Sequence, residues 1–152
     1  MTDDVSRRSG ELFQGGLYCA ESVLLAIAES KGFQSDLIPK IATGFCGGVS
    51  RTCGMCGAVS GGIMAIGLAK GRSSGTESVL PSYRAVQRLL EGFEAQFGSI
   101  NCRELTGCDL GTDEGQKYFY ANKLRDKCRE FTEGATALAL QLIEEHPEGS
   151  AT

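Results

Sequence analysis

Histidine and long apolar runs are scarce in this sequence of 152 residues, and each scarcity excludes a class of protein. The one histidine, His146, stands in a polar C-terminal segment, where a surface position is expected rather than a part in ligation or in activating a nucleophile. No apolar run approaches the roughly 20 residues that a membrane-spanning helix needs. Residues 1–15 hold few apolar side chains and no signal-peptide core. We therefore expect a soluble, cytoplasmic protein without a membrane span.

Clustered positive charge and a phosphate-binding loop are also missing. The net charge is -4, and acidic and basic residues are interspersed, so no basic stripe is present to neutralise the phosphates of a nucleic acid. Gly57 and Gly61 are not part of a G-x-x-x-x-G-K-[ST] pattern, which a nucleotide-binding loop would show. Neither nucleic acid nor nucleotide is therefore an expected ligand.

Sustained alternation of apolar and polar residues is absent too, whereas apolar residues recur with helical spacing through most of the chain. The predicted fold is all-α: one compact domain of six to eight helices over residues 1–148, followed by a disordered tail at 149–152. The approximate predicted helices are 3–13, 17–30, 36–41, 53–70, 78–97, 102–105, 113–124 and 126–145, with a glycine-rich loop at 45–54.

Small residues form a stripe along the predicted helix 53–70. Gly57, Gly61, Ala65 and Ala69 are spaced four residues apart, so they lie on one face. Because a glycine inside a helix costs about 0.5–1 kcal/mol relative to alanine, a packing or cofactor reason is expected, of which close packing is the simplest. We predict that this helix is central and that another helix packs closely against it.

Cysteine is the abundant functional residue type. The chain contains seven: Cys19, Cys46, Cys53, Cys56, Cys102, Cys108 and Cys128. Thiols in the cytosol are held reduced, so they are interpreted first as redox or metal-binding groups, and the odd number argues against complete pairing in static disulfides. Several fall where helices are predicted to begin, and a thiol there is expected to have a lowered pKa and raised reactivity.

The cysteine positions follow a family pattern. In chain order the chain has Cys19-Ala20 before a helix, a glycine-rich loop at 45–48, the run from Cys56 to Gly61, then Cys102-Arg103-Glu104-Leu105, and finally Cys128. These residues resemble the family of redox-active proteins named for its C-GCAxxG-C-C pattern, over roughly residues 15–142. The resemblance implies a redox role and an association with oxidoreductase or transporter functions, but no particular reaction.

The chain also departs from that pattern. Cys46 stands where the family would more often have glycine, Cys53 creates a C-x-x-C pair with Cys56, and Cys108 is an addition. For Cys46 and Cys108 a structural role is as well supported as a chemical one, because cysteine is often buried as a small hydrophobic residue. The additions leave open whether the chain has one thiol site or two.

Two chemical hypotheses follow for the cysteines. In the first, Cys53 and Cys56 form an exchangeable thiol-disulfide pair, with Cys19, Cys102 or Cys128 as further catalytic thiols. In the second, the four family positions bind zinc or an iron-sulfur cluster, since four thiolates suit either; these ligands would be Cys19, Cys56, Cys102 and Cys128. Arg51 and Arg103, beside cysteine-bearing turns, could lower thiol pKa values or bind an anionic substrate.

The predicted function is therefore that of a small cysteine-based redox protein that acts by electron transfer or thiol-disulfide exchange. The alternative is a metal-binding or accessory protein that serves a larger oxidoreductase or transporter. The sequence does not decide between an enzyme and a carrier, and it names no substrate.

Overall fold

A computed structural model describes residues 2–145 of the chain. His146 and the tail predicted at 149–152 lie outside the described residues. Within residues 2–145 the secondary structure consists of eight α-helices and one 3-10 helix at Lys40–Phe45, with no strand longer than the single bridge between Met55 and Asn101. The predicted all-α fold with one compact domain is confirmed.

The α-helices have the following bounds: α1 Thr2–Gln14, α2 Cys19–Ser30, α3 Cys46–Arg51, α4 Gly57–Lys70, α5 Leu80–Phe97, α6 Cys102–Thr106, α7 Asp113–Ala121 and α8 Leu124–Glu144. Two of them end at glycines in the left-handed region, Gly98 after α5 and Gly107 after α6. Both positions were predicted as helix ends, because glycine adopts a positive φ without the steric cost of a Cβ atom.

Helix α4 lies at the centre and packs against α2, α5 and α8. A Cβ atom at Gly61 would lie 2.6 Å from the backbone oxygen of Ala20 in α2, and one at Gly62 would lie 2.9 Å from Leu89 in α5. The glycines therefore let neighbouring helices approach more closely than alanine would allow. This close approach fixes α2 and α4 relative to each other near their N-termini.

The apolar core surrounds this central helix. Its largest fully buried side chains include Leu24, Ile66, Leu89 and Leu140, from four different helices. The ring of Phe93 in α5 lies 4.7 Å from the ring of Phe97 in a tilted arrangement, and it meets the ring of Phe131 in α8 edge-on at 6.1 Å between centroids. Each buried side chain of this size contributes roughly 1.5–3 kcal/mol, so packing of the helices provides the framework on which the cysteines are placed.

Several predicted helix bounds were wrong. Helices α2 and α5 begin two residues later than predicted, at Cys19 and Leu80, and a 3-10 helix at Lys40–Phe45 stands in place of the helix predicted at 36–41. Helix α4 begins at Gly57, not at Cys53, because Cys53 has a positive φ of 63° and Met55 pairs with Asn101 as an extended residue. Helix α8 begins at Leu124 rather than near Asp126. None of the helices within the described ranges has both the length and the apolar character that crossing a membrane requires.

The segment predicted as a loop at 45–54 contains a left-handed turn. In α3, residues 47–51 all have positive φ values, from 57° at Ser50 to 69° at Gly48. Val49, Ser50 and Arg51 each carry a Cβ atom in this conformation, which costs about 1–2 kcal/mol per residue. Two hydrogen bonds hold the turn. The Ser50 hydroxyl donates to the carbonyl of Gly44 at 2.8 Å, and the amide of Gly54 donates to the carbonyl of Gly48 at 2.8 Å.

Candidate functional site

A cavity of about 400 Å³ opens beside the N-terminus of α4, and five of the seven cysteines line it. They are Cys19, Cys46, Cys56, Cys102 and Cys128. The set includes the four positions of the family pattern together with Cys46. Their assignment as reacting groups stays a prediction, but the folded chain brings them to one place.

The backbone positions three of these cysteines at helix beginnings. Cys19 is the first residue of α2, Cys56 is the N-cap of α4, and Cys102 is the first residue of α6. Cys128 is the fifth residue of α8, so the prediction that it lies in a first helical turn was wrong. Its amide group is therefore within the hydrogen-bonded body of the helix rather than at its open end.

A short backbone ladder holds Cys56 and Cys102 side by side. The amide of Cys56 donates to the carbonyl of Ile100 at 2.7 Å, and the amide of Cys102 donates to that of Gly54 at 3.0 Å. Gly48 packs against this ladder, and a Cβ atom there would lie 2.5 Å from the Cβ atom of Cys102. The left-handed turn therefore needs glycine at this position both for its φ and for the contact with Cys102.

Cys19 and Cys46 are neighbours on the cavity wall, where a Cβ atom at Gly57 would meet both the Cys19 sulfur and the Cα atom of Cys46. Interaction with the Cys19 side chain, followed by burial, raises the pKa of Cys46 well above its usual range. The Cys46 sulfur also lies 3.6 Å from Oε1 of Glu21, whose carboxylate accepts hydrogen bonds from the Tyr18 amide and the Thr43 hydroxyl. A Cβ atom at Gly57 would collide with the Cys19 sulfur, so the glycine leaves room for the pair.

Cys56, Cys102 and Cys128 form a second group, close enough for their charges to interact. Burial raises the pKa of Cys56 to about 11, outweighing the backbone N–H groups of Ala58 and Val59, which lower it. Burial, then repulsion from the charges of the other thiols, raises the pKa of Cys128 to about 12. Burial likewise raises the pKa of Cys102. These thiols are neutral at pH 7.

This result corrects the expectation that helix N-termini lower the thiol pKa values. The N-terminal amides do act in that direction at Cys56, but the thiol is only 6% exposed and the cost of burying a thiolate is larger. The position of Cys56 in the sequence correctly predicted that backbone amides would stabilise its thiolate. It could not predict how deeply the thiol is buried. A reacting thiolate here must therefore form transiently or by interaction with a bound substrate.

Cys53 and Cys108 do not line the cavity. The half-buried Cys53 side chain lies beside Asp109, whose carboxylate raises the pKa of the thiol more than the guanidinium of Arg103 lowers it. Cys108 is buried, and its sulfur lies 3.5 Å from the hydroxyl of Thr106. Cys53 and Cys56 therefore occupy different environments, and the structure does not place the C-x-x-C pair together at a helix start.

All seven cysteines are free thiols. Among residues 2–145, no three side chains of histidine, cysteine, aspartate or glutamate are arranged to hold a metal ion. The ligand set predicted for zinc or an iron-sulfur cluster thus surrounds one cavity without converging on a single point. Binding a metal would require these side chains to move.

Two arginines, Arg51 and Arg125, bring positive charge to the cavity wall. The guanidinium of Arg125 stacks 4.8 Å from the ring centroid of Phe13 and donates a hydrogen bond of 3.0 Å to the Phe13 carbonyl. Arg51 was predicted from the sequence as a candidate cation beside the thiols, whereas Arg125 was not. The available signal was its position three residues before Cys128, which places both on one face of a helix.

Comparison with known proteins adds a family and a relative. A family model described as "Putative redox-active protein (C_GCAxxG_C_C)" matches residues 17–142. An uncharacterized protein of the archaeon Archaeoglobus fulgidus is 28% identical, and the match covers 94% of this chain and 95% of the relative. No solved structure matches the chain.

Proposed function

The chain belongs to the C_GCAxxG_C_C family of redox-active proteins, and on that basis we propose that it exchanges electrons by thiol-disulfide chemistry at the cysteine-lined cavity. The observation that supports this most is that Cys19 and Cys46 are neighbours on the wall of one cavity. A Cβ atom at Gly57 would contact both the Cys19 sulfur and the Cα atom of Cys46, so the two side chains lie close enough to approach each other and form a disulfide. This pair replaces the pair of Cys53 and Cys56 favoured by sequence alone.

The proposed reaction moves two electrons. The Cys19 thiolate attacks a substrate disulfide, so that a bond forms between Cys19 and one substrate sulfur while the substrate S–S bond breaks and a substrate thiolate leaves. Cys46, after losing its proton, attacks the Cys19 sulfur; the second substrate thiolate leaves and the Cys19–Cys46 disulfide forms. The two protons lost by the protein balance the two substrate thiolates, the dithiol is oxidised, and the disulfide is reduced.

The roles of the two thiols follow from their surroundings. Cys19 is the first residue of a helix of 12 residues, and its side chain lines the cavity. Cys46 has a raised pKa and lies beside the carboxylate of Glu21, so it keeps its proton and donates its S–H. Cys19 is therefore the proposed attacking thiol and Cys46 the resolving one, with Cys56, Cys102 and Cys128 as neighbouring thiols that can accept the disulfide in turn.

A redox titration tests this proposal. The protein is equilibrated without oxygen in glutathione buffers of graded potential, free thiols are alkylated, and disulfide-linked peptides are identified by mass spectrometry. We expect one reversible two-electron transition that links Cys19 to Cys46 and that disappears in Cys46→Ser. The matched control is Cys108→Ser, which removes a buried thiol outside the cavity and should leave the transition in place. If only the Cys53 thiol is oxidised while the cavity thiols stay reduced, the proposal is contradicted.

Metal binding is the second candidate, because the four family cysteines all face one cavity. Their side chains would have to converge from the arrangement described above before they could hold zinc or an iron-sulfur cluster. The test is purification without oxygen, followed by measurement of iron, zinc and acid-labile sulfide. Stoichiometric metal that is lost in Cys128→Ser would favour this candidate over exchange between free thiols.

A further inference from the structure

We infer that the substrate of this cavity is a small anionic disulfide with aromatic or other apolar groups, whose negative charge is bound by Arg125 and Arg51. The inference rests on the proposed function, and it adds the chemical class of molecule that the site accepts. It comes from three features of the cavity: its charge, its apolar wall and the depth of its sulfurs.

The charge on the cavity wall is positive although the chain as a whole carries -4. The lining includes Arg51 and Arg125 and, in the described part of the chain, no aspartate, glutamate or lysine. Neither arginine forms an ion pair with a carboxylate of residues 2–145. The carboxylate of Glu21, which lies beside Cys46, already accepts hydrogen bonds from Tyr18 and Thr43. The two cations therefore favour an anionic ligand.

Arg125 is well placed to recognise a carboxylate. Its guanidinium is held over the rings of Phe13 and Tyr18, at 4.8 and 5.8 Å from their centroids, so its orientation is restricted. A guanidinium has five N–H donors, and one of them is used by the Phe13 carbonyl. The remaining donors can form charge-assisted hydrogen bonds with an oxyanion. The position of Arg125 near Cys128 brings such an anion close to the sulfurs.

The rest of the wall is suited to apolar groups. Phe13, Phe119 and Phe131 face the cavity together with Leu105 and Leu110. A volume of about 400 Å³ lies within the range of roughly 300–1,000 Å³ typical of small-molecule sites. A site of this size can enclose a disulfide that carries aromatic rings.

The depth of the sulfurs excludes a folded protein as the direct substrate. Cys56 is 6% exposed and Cys46 is 7% exposed, and both lie within a recess rather than on the surface. A protein disulfide would have to insert a chain segment into this space, whereas a small disulfide would not. Cys53, the more accessible thiol outside the cavity, is the position at which a bulky disulfide would react first.

Three disulfide reagents that differ in charge and in aromatic character test which property of the substrate the cavity selects. 5,5′-Dithiobis(2-nitrobenzoate) is aromatic and dianionic, 4,4′-dithiodipyridine is aromatic and neutral, and cystamine is aliphatic and cationic. All rates are measured in a Cys53→Ser background, so that the outlying thiol does not contribute. Each rate is divided by the rate for the same chain unfolded in urea, which removes the intrinsic reactivity of the reagent.

We expect the normalised rate to be highest for the dianionic reagent and lowest for cystamine. Replacing both cations, Arg51→Gln with Arg125→Gln, should lower the ratio of dianionic to neutral reagent by at least about fivefold. When Arg125 is replaced by lysine instead of glutamine, part of the ratio of dianionic to neutral reagent should be restored, since lysine keeps the positive charge. The matched control is Arg103→Gln, which removes an exposed arginine beside Cys53 and outside the cavity and should change nothing.

The inference is wrong if the ratio is the same in the double variant and in the parent, or if cystamine reacts fastest. Because Arg125 also binds the Phe13 carbonyl, its loss could disturb the fold; Arg51→Gln alone, on the exposed turn, must then lower the ratio in the same direction. Failure of the proposed function has a different signature. In that case the reagents form mixed disulfides with single cysteines, and no Cys19–Cys46 disulfide follows.

Discussion

Replacing Gly61 by alanine tests the close contact between α2 and α4, on which the position of Cys19 depends. The added Cβ atom would lie 2.6 Å from the Ala20 carbonyl oxygen and 3.0 Å from its Cα atom. These are backbone atoms, so α2 itself must shift. Such overpacking costs about 1–3 kcal/mol, and the helical preference of alanine over glycine offsets about 0.5–1 kcal/mol of it.

Gly67, in the same helix, provides the control. A Cβ atom there meets nothing within 4 Å, so Gly67→Ala should stabilise the protein by about 0.5–1 kcal/mol. Both variants gain the same helical preference. The difference between their free energies of unfolding therefore isolates the packing cost of about 1–3 kcal/mol at Gly61.

Urea unfolding followed by far-ultraviolet circular dichroism measures both free energies, and thermal unfolding should separate the two variants by several degrees. The reasoning is refuted if Gly61→Ala is as stable as Gly67→Ala. In the same Gly61→Ala sample, formation of the Cys19–Cys46 disulfide should slow, because a displaced α2 carries Cys19 away from its partner. Unchanged disulfide formation in a destabilised Gly61→Ala variant would show that the pair does not depend on this helix contact.

Two further predictions concern the turn and the buried thiols. Gly47→Ala and Gly48→Ala should each lower the free energy of unfolding by about 1–2 kcal/mol, because alanine is disfavoured in the left-handed conformation. Gly48→Ala should lower it by about 1–3 kcal/mol more, since only its Cβ atom meets Cys102, at 2.5 Å. Equal losses of the two variants in urea unfolding would contradict the contact with Cys102. Because burial raises the pKa of Cys56 from 9.0 to about 11, the unfolded thiol loses its proton first as the pH rises, and stability should fall between pH 9 and 11 by about 2–3 kcal/mol. Urea unfolding across this range should show a smaller fall in Cys56→Ala, and an identical fall in both proteins would be evidence against the burial.

Local chemistry made much of the helical framework predictable. The ends of α5 and α6 were predictable because Gly98 and Gly107 adopt φ values that other residues avoid. The central place of α4 was predictable because close packing is the simplest explanation for small residues inside a helix. These inferences needed only neighbouring residues and the geometry of a single helix.

The start of α4 was not predictable in this way. Cys53 adopts a positive φ and Met55 pairs with Asn101, which lies 46 residues further along the chain. The left-handed turn has the same origin, since Gly48 packs against Cys102. A contact between distant segments leaves no periodic signal in either segment. Predictions from local pattern therefore failed where tertiary contacts set the backbone.

The sequence by itself determined that this protein is helical, that one helix must be closely packed, and that thiols are its candidate reactive groups, because these properties follow from residue type and short-range spacing. Tertiary structure alone decided that Cys46 lines the same cavity as Cys19 while Cys53 stays outside, that burial favours the neutral form of the thiol at Cys56, and that Arg125 faces the same cavity. The physical reason is that burial, electrostatic environment and contact are properties of atoms from several helices at once.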